Sequence, residues 1–287
     1  MARVRAVQTV AGVREVTSAW RAAGRSIAFV PTMGNLHDGH LSLARLAATK
    51  ADRVVMSIFV NPTQFGAGED FAAYPRTLDE DLEKIDSLGG VNAVFLPDEP
   101  MIYPFGTEEA VRISLPPLSR ELCGAFRPGH FDGVASVVCR LLNIVEPDVL
   151  VLGQKDYQQF VLLKRMADDL QMGVDFVMGP TQREPDGLAM SSRNRYLDAG
   201  ERAKAPALHT VLEETRAALR GGARDFSALE VAARERLAAA GLRPDYVEIR
   251  RAGDLGKPGA GDATQSGLVV LGAVRLGRAR LIDNLTV

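Results

Sequence analysis

The chain has 287 residues, 46% of them hydrophobic, and a formal net charge of −2. That length allows one large domain or two ordinary ones with a proper core, and the near-neutral balance gives no global basic field to gather nucleic acid, which argues against a tRNA- or DNA-binding protein. Two cysteines, Cys123 and Cys139, without a C-x-x-C pattern imply neither a disulfide framework nor a thiolate metal site; the first residues lead into no apolar signal region and no stretch approaches a membrane span, so a cytoplasmic enzyme with no membrane partner is the expectation.

In chain order, residues 13–24 have the spacing of a short amphipathic helix closed by a glycine. Ile27, Ala28, Phe29 and Val30 form a continuous apolar run, a buried strand, and residues 41–47 have helical spacing. Between them lies the turn from Pro31 to His40. Gly34 and Gly39 let the backbone come close to a ligand, because no Cβ stands in the way. His37 and His40 are three apart, so at a helix start they can point to the same side. The N–H groups and dipole of that helix end favour an anion. A strand–glycine turn–helix unit alone says little. Two of the chain's four histidines in one H-x-G-H turn make it a candidate phosphate site.

Residues 54–60 form the next strand, which Asn61 and Pro62 end, since proline cannot continue a central strand. Residues 70–76 read as loop, Leu78 to Leu88 as a helix ending in Gly89-Gly90, and residues 93–96 as a strand stopped by Pro97. Residues 111–115 suggest an edge strand. Residues 131–145 read as a largely buried helix. Residues 149–152 are a strand opening into Gly153, Gln154, Lys155 and Asp156, and a helix (157–170) and a strand (174–178) follow.

Strands alternating with helices, several of them apolar throughout, predict a parallel sheet covered on both faces. The expectation is a Rossmann-like, doubly wound α/β domain over residues 1–179. Ligands in such sheets sit beyond the carboxyl ends of the strands. Four chemically loaded loops, 31–40, 61–64, 153–159 and 181–193, are expected on that rim. After residue 180 the texture changes. Helices over 199–219 and 227–240, strands over 246–250, 268–274 and 279–282, and a Gly/Pro-rich loop over 253–267 predict a second, smaller α+β domain over 180–287, acting as a lid.

These motifs resemble a known family. Residues 31–40 are similar to the H-x-G-H signature of the nucleotidylyltransferase superfamily and, more narrowly, to that of the pantothenate synthetase (pantoate–β-alanine ligase) family. Further stretches match in the family's order: residues 57–65, 74–77, 127–131, 153–159, 186–194 and 280–284. H-x-G-H alone indicates only the superfamily, whereas the ordered set is highly specific and extends over nearly the whole chain. The resemblance implies a two-step reaction: pantoate's carboxylate attacks the α-phosphorus of ATP, giving pantoyl adenylate and pyrophosphate, and the amine of β-alanine then displaces AMP. It also implies Mg²⁺ with ATP, and a homodimer formed through the first domain.

Carried over residue by residue, the resemblance gives an ATP site of Met33, Gly34, Asn35, Leu36, His37, Asp38, Gly39 and His40, with His40 the family's proton donor. It continues through Gly153, Gln154, Lys155 and Asp156, then Gln182, Met190, Ser191, Ser192 and Arg193. A displacement at phosphorus with a good leaving group needs charge stabilisation more than a proton. His37 and His40 are therefore read as phosphate donors, with Lys155 and Arg193 as the cationic catalytic groups. Asp156 suits the ribose hydroxyls or a helix cap. Gln64 and Gln159, able to donate and accept, suit pantoate's hydroxyls, with Asn61 assisting and Met33 on the apolar side. Arg127 and His130 are candidates for β-alanine's carboxylate or for gating. Glu80 and Asp81 are the candidates for Mg²⁺ held through water. His209 receives no role. The chain departs from some relatives at Cys123, where others carry Glu, at Gln182, often Val, and at Gln154, which replaces an acidic residue. None of these removes a phosphate-binding group.

Other readings are weaker. A nucleotidylyltransferase acting on a phosphorylated acceptor would want extra basic residues, a non-catalytic sensor should lack one of His40, Lys155 or Arg193, and an aminoacyl-tRNA synthetase needs an RNA-binding region.

Overall fold

The computed structural model describes residues 4–259 and 267–287. In chain order the strands and helices are β1 (Arg5–Val7), α1 (Val10–Ala22), β2 (Ile27–Thr32), α2 (Asp38–Ala48), β3 (Arg53–Ile58), α3 (Leu78–Leu88), β4 (Ala93–Phe95), α4 (Glu99–Ile102), α5 (Cys123–Phe126), α6 (His130–Val145), β5 (Val149–Gly153), α7 (Tyr157–Asp169) and β6 (Asp175–Gly179). Then follow α8 (Ala199–Lys204), α9 (Ala207–Arg220), α10 (Phe226–Ala239), β7 (Arg243–Arg251), β8 (Leu268–Leu276) and β9 (Ala279–Thr286). They form two compact units, residues 1–153 with 162–180, and residues 154–161 with 181–287.

The first unit is built on a parallel sheet in the order β1-β4-β3-β2-β5-β6. β2 is at the middle because its apolar run is buried on both faces: Ile27, Ala28, Phe29 and Val30 have no exposed surface. From β2 the chain winds outward through β3 and β4, then returns to β2's other side with β5 and β6. The winding direction therefore reverses beside β2, and in open α/β sheets ligands bind at the carboxyl ends of strands at such a reversal. The core beneath joins Val30, Ala44, Met56, Ile85, Val94 and Val151.

The second unit carries the antiparallel sheet β7-β8-β9. Its core packs Leu208, Leu212, Leu219 and Leu237 of the helices against Val247, Val270 and Val274 of the strands. Among the described residues no helix is long and apolar enough to cross a membrane.

Three expectations are corrected. Residues 111–115 are not a strand: the Ile113 N–H donates to Ser136 Oγ (2.9 Å) and the Leu115 N–H to Asp132 Oδ1 (3.0 Å), so α6 side chains take the backbone that a sheet edge would have taken. The helix expected over 199–219 is two, α8 and α9, broken beside Pro206, which has no N–H to continue the ladder. β1, three residues long with only Val7 buried, has no counterpart among the expected elements. Of the loop expected over 253–267, residues 260–266 lie outside the described residues.

Candidate active site

The turn after β2 is held from below by one carboxylate. Asp81, on α3, has no exposed surface. Its two oxygens accept the N–H groups of Asn35 (Oδ2, 2.8 Å) and Leu36 (Oδ1, 2.7 Å). Lys84, one turn on, donates from Nζ to the Leu36 carbonyl at 2.9 Å. Gly34 stands at φ +80°, and a Cβ there would come within 3.0 Å of Asp81 Oδ2 and Ile58 Cγ2; the left-handed backbone and the crowding both require glycine. Asp81, expected with Glu80 to hold Mg²⁺ through water, has no exposed surface and turns both oxygens to backbone donors, whereas Glu80 is exposed. Among the described residues no three His, Cys, Asp or Glu side chains gather as a metal site.

His37 caps α2 and His40 reaches back to it. His37 Nδ1 accepts the Gly39 N–H at 3.1 Å, and His40 Nδ1 accepts the His37 N–H at 3.3 Å. The ring centroids lie 4.1 Å apart. A nitrogen that accepts a backbone N–H cannot carry the proton, so in both neutral rings the proton is on Nε2. The H-x-G-H spacing thus produces two imidazoles locked in one tautomer, each an Nε2–H donor, beside the N-terminus of α2. Asp38, the first residue of α2, is exposed.

On the neighbouring strand's end, Asn61 (1% exposed) and Gln64 (8%) are polar and buried. Asn61 uses its amide inward: Oδ1 accepts from Tyr103 Oη (2.6 Å) and Thr63 Oγ1 (3.1 Å), and Nδ2 donates to Gln64 Oε1 (3.0 Å) and the Gly133 carbonyl (3.3 Å). Asn61 is therefore a support for Gln64. Gln64 Nε2 donates to a thioether, Met33 Sδ at 3.1 Å, a weak acceptor. A nearly buried amide donor turned towards a soft acceptor suits a ligand oxygen. Gly133 lets α6 approach: a Cβ there would stand 2.3 Å from the Thr63 carbonyl oxygen.

Arg127 and His130 are joined to this loop through a residue the sequence reading missed. Glu69 receives Arg127 Nε at 2.8 Å and Nη2 at 2.6 Å, a bidentate pair. Burial works to raise the Glu69 pKa, but the Arg127 hydrogen bonds and charge outweigh it and hold the carboxyl below its usual value. Arg127 Nη1 lies 2.8 Å from His130 Nε2, and His130 Nδ1 2.8 Å from the Gln64 carbonyl. Arginine only donates, so His130 accepts at Nε2 and donates from Nδ1, bracing the Gln64 backbone.

In the second unit, Gln154, Lys155 and Asp156 make one 3-10 turn directly after β5, whose last residue is Gly153. Lys155 Nζ lies 3.3 Å from Asp156 Oδ2. Asn284, on β9, donates from Nδ2 to the carbonyls of Gln154 (2.9 Å) and Lys155 (3.0 Å). Gln159, on α7, is half-buried. Residues 182–190 form a small hairpin: the Met190 N–H donates to the Gln182 carbonyl (2.9 Å) and Arg183 bridges Ala189. Ser191 follows, its Oγ accepting the Arg193 N–H at 3.3 Å to open the turn Ser192–Tyr196. The base of the hairpin is fixed by Arg183, which donates to both oxygens of Asp283 at 2.6 and 2.9 Å. Burial opposes the Asp283 charge, yet His209, Arg183 and the Asn284 N–H hold its pKa below the usual carboxylate value. His209, given no role from sequence, is half-buried with Nδ1 3.5 Å from Asp283 Oδ2.

A Rossmann-like sheet whose winding reverses beside a glycine turn, with two Nε2–H imidazoles at a helix N-terminus, is the arrangement of an α/β enzyme with a site suited to an anion. Comparison with known proteins narrows it. The family described as pantoate-beta-alanine ligase matches residues 5–286. The pantothenate synthetase of Thioalkalivibrio sulfidiphilus is 54% identical over 281 residues, 98% of this chain and 97% of that one. A crystal structure of pantothenate synthetase from Thermus thermophilus has a TM-score of 0.89 at 41% identity, covering 99% of both chains. One of pantoate-beta-alanine ligase from Francisella tularensis, complexed with beta-gamma ATP and beta-alanine, has a TM-score of 0.82 at 32% identity, covering 99% of this chain and 97% of that one. The chain belongs to the pantoate–β-alanine ligase family, acid–amino-acid ligases that join pantoate and β-alanine as pantothenate.

Proposed function

We propose that the chain drives this ligation with ATP through an acyl adenylate. A pantoate carboxylate oxygen bonds to the α-phosphorus, the bond from that phosphorus to the β-phosphate oxygen breaks, and pyrophosphate leaves. The β-alanine amine then bonds to the acyl carbon, the carbonyl–oxygen bond to AMP breaks, and the amine proton is lost to solvent. The observation that carries this reading is the match of residues 5–286 to one ligase family, with relatives near half identity over almost the full chain.

In this reading His37 and His40 donate from Nε2–H to phosphate oxygens as charge builds on the leaving pyrophosphate. Their Nδ1 atoms are engaged by backbone N–H groups, which supports donation by neutral rings. The backbone of Met33, Gly34, Asn35, Leu36 and Gly39 lines the nucleotide. Lys155 supplies a compact positive charge to a phosphate. Ser191, Ser192 and Arg193 clamp the triphosphate, with Met190 and Gln182 beside the nucleotide. Gln64 and Gln159 bind pantoate's hydroxyls, and Asn61 holds Gln64 in place. Arg127 and His130 act on the β-alanine side. Mg²⁺ comes as the counter-ion of ATP, held mainly by the triphosphate's own oxygens, since Asp81 is committed elsewhere. The resemblance supports a homodimer in the cytoplasm, and a second domain that closes as a lid.

The test is an omission series. Protein with Mg-ATP, pantoate and β-alanine should release AMP and pyrophosphate in equal amounts. Without β-alanine, pyrophosphate should stop near one equivalent of enzyme. Release of ADP and phosphate would overturn the reading.

A further inference from the structure

The end of β9 holds two adjacent buried polar residues that no step above uses. Asp283 is 3% exposed and Asn284 1%. Each reaches a different segment of its own unit. Asn284 Nδ2 donates to the Gln154 and Lys155 carbonyls at 2.9 and 3.0 Å, and Asn284 Oδ1 lies 3.4 Å from Gln154 Nε2. Asp283 takes the Arg183 fork with both oxygens, and its Oδ1 also accepts the Asn284 N–H at 2.7 Å. Arg183 Nη1 in turn donates to the Gly187 carbonyl at 3.0 Å, so the guanidinium ties both arms of the 182–190 hairpin. One hairpin arm runs directly into Ser191 and Arg193. The two segments that β9 grips are therefore those carrying the ammonium of Lys155 and the hydroxyls and guanidinium of residues 191–193.

Burying a carboxylate and an amide is costly unless every polar atom is matched. A strand end with only a packing task would be met by apolar residues at lower cost. Here the matched partners are backbone carbonyls and an arginine at the roots of two loops, an arrangement that fixes relative position. We propose that Asp283 and Asn284 are positioning residues for adenylation: together they set the distance between Lys155 and residues 191–193, and so the fit of both to one triphosphate. The inference rests on the reading above that these residues handle ATP phosphates.

The test separates the two half-reactions in the full chain. Asn284→Ala removes both carbonyl contacts, and Asn284→Ser covers the case in which the alanine variant does not fold. Pyrophosphate release from ATP and pantoate is compared with transfer of the pantoyl group from supplied pantoyl adenylate to β-alanine, with folding followed by thermal melting. A misplacement of about 1 Å costs on the order of 100-fold. The expected result is a loss of that size in kcat/KM for ATP, with pantoyl transfer within about fivefold of wild type. A double-mutant cycle with Lys155→Ala should be strongly non-additive, since Asn284 acts through Lys155. Equal losses in both half-reactions, or additive losses in the cycle, would overturn the proposal and leave a structural role. A wild-type chain that releases no pyrophosphate would instead overturn the functional reading itself, and this inference with it.

Discussion

Asp81 accepts the Leu36 N–H at 2.7 Å from 45 positions further along the chain. With its second oxygen on the Asn35 N–H it holds the turn that leads into both histidines. Hydrogen bonds to a charged group contribute about 1.5–3 kcal/mol each, and a lone buried donor is costly. Asp81→Ala should therefore destabilise the first unit by about 2–4 kcal/mol. It should also lower kcat/KM for ATP, because the turn loses its anchor. Thermal melting and ATP-dependent pyrophosphate release check the two effects. A variant with unchanged melting would show that the turn holds itself.

The tautomer of His40 makes two substitutions behave oppositely. Asparagine can place an oxygen near Nδ1, so His40→Asn keeps an acceptor for the His37 N–H but has no donor at the Nε2 position. It should melt close to wild type and lose about 100- to 1000-fold in kcat, the usual effect of removing an oxyanion donor. His40→Gln reaches the Nε2 position but drops the cap. It should lose about 1 kcal/mol of stability and keep more activity than the asparagine variant. The reverse ranking would assign His40 to folding alone.

Gly133→Ala should damage the substrate loop from behind. Its Cβ would lie 2.3 Å from the Thr63 carbonyl oxygen and 2.8 Å from Gln64 Cα. Backbone must move, costing about 1–3 kcal/mol. Because the strain falls on Pro62–Gln64, KM for pantoate should rise more than KM for ATP. Steady-state kinetics with each substrate varied in turn check this.

The Glu69–Arg127 pair gives a pH-dependent stability with a defined sign. The folded-state pKa of Glu69 is depressed, because Arg127 outweighs the burial penalty. Its stabilisation is fully present above the ordinary glutamate value and is lost as pH falls through the depressed folded value. Wild type should exceed Glu69→Gln by about 1–2 kcal/mol at neutral pH, the pair being only partly exposed. The gap should close on acidification below the ordinary carboxylate range. Melting curves across that range test it; a gap that is independent of pH would contradict the assignment.

The β2–turn–α2 unit was legible because its signals are local: an apolar run, glycines, and a histidine pair at helical spacing. Alternation of strand and helix gave five of the six strands of the parallel sheet; β1, three residues with only Val7 buried, carries too short a signal. What escaped was set by contacts between distant residues. Residues 111–115 look like a strand, but Ser136 and Asp132 on α6 capture their backbone. Glu69 sits in a glycine-rich loop where nothing in sequence announces Arg127 as its partner, 58 positions away. Asp81 did leave a trace: it lies one helical turn before Ile85 on the buried face of α3, where an unpaired carboxylate would be expensive. Asp283 and Asn284 were visible as part of a matching stretch, but their task depends on carbonyls about 130 positions earlier.

Every role proposed for the site turns on a pantoate carboxylate oxygen attacking the α-phosphorus of ATP beside the two Nε2–H imidazoles. Pantoate labelled with ¹⁸O in its carboxylate decides the matter, with AMP, pyrophosphate and any orthophosphate analysed by mass spectrometry after one round of ligation. The expected outcome is one labelled oxygen in AMP and none in pyrophosphate. Label appearing in orthophosphate, with ADP in place of AMP, would rule this attack out.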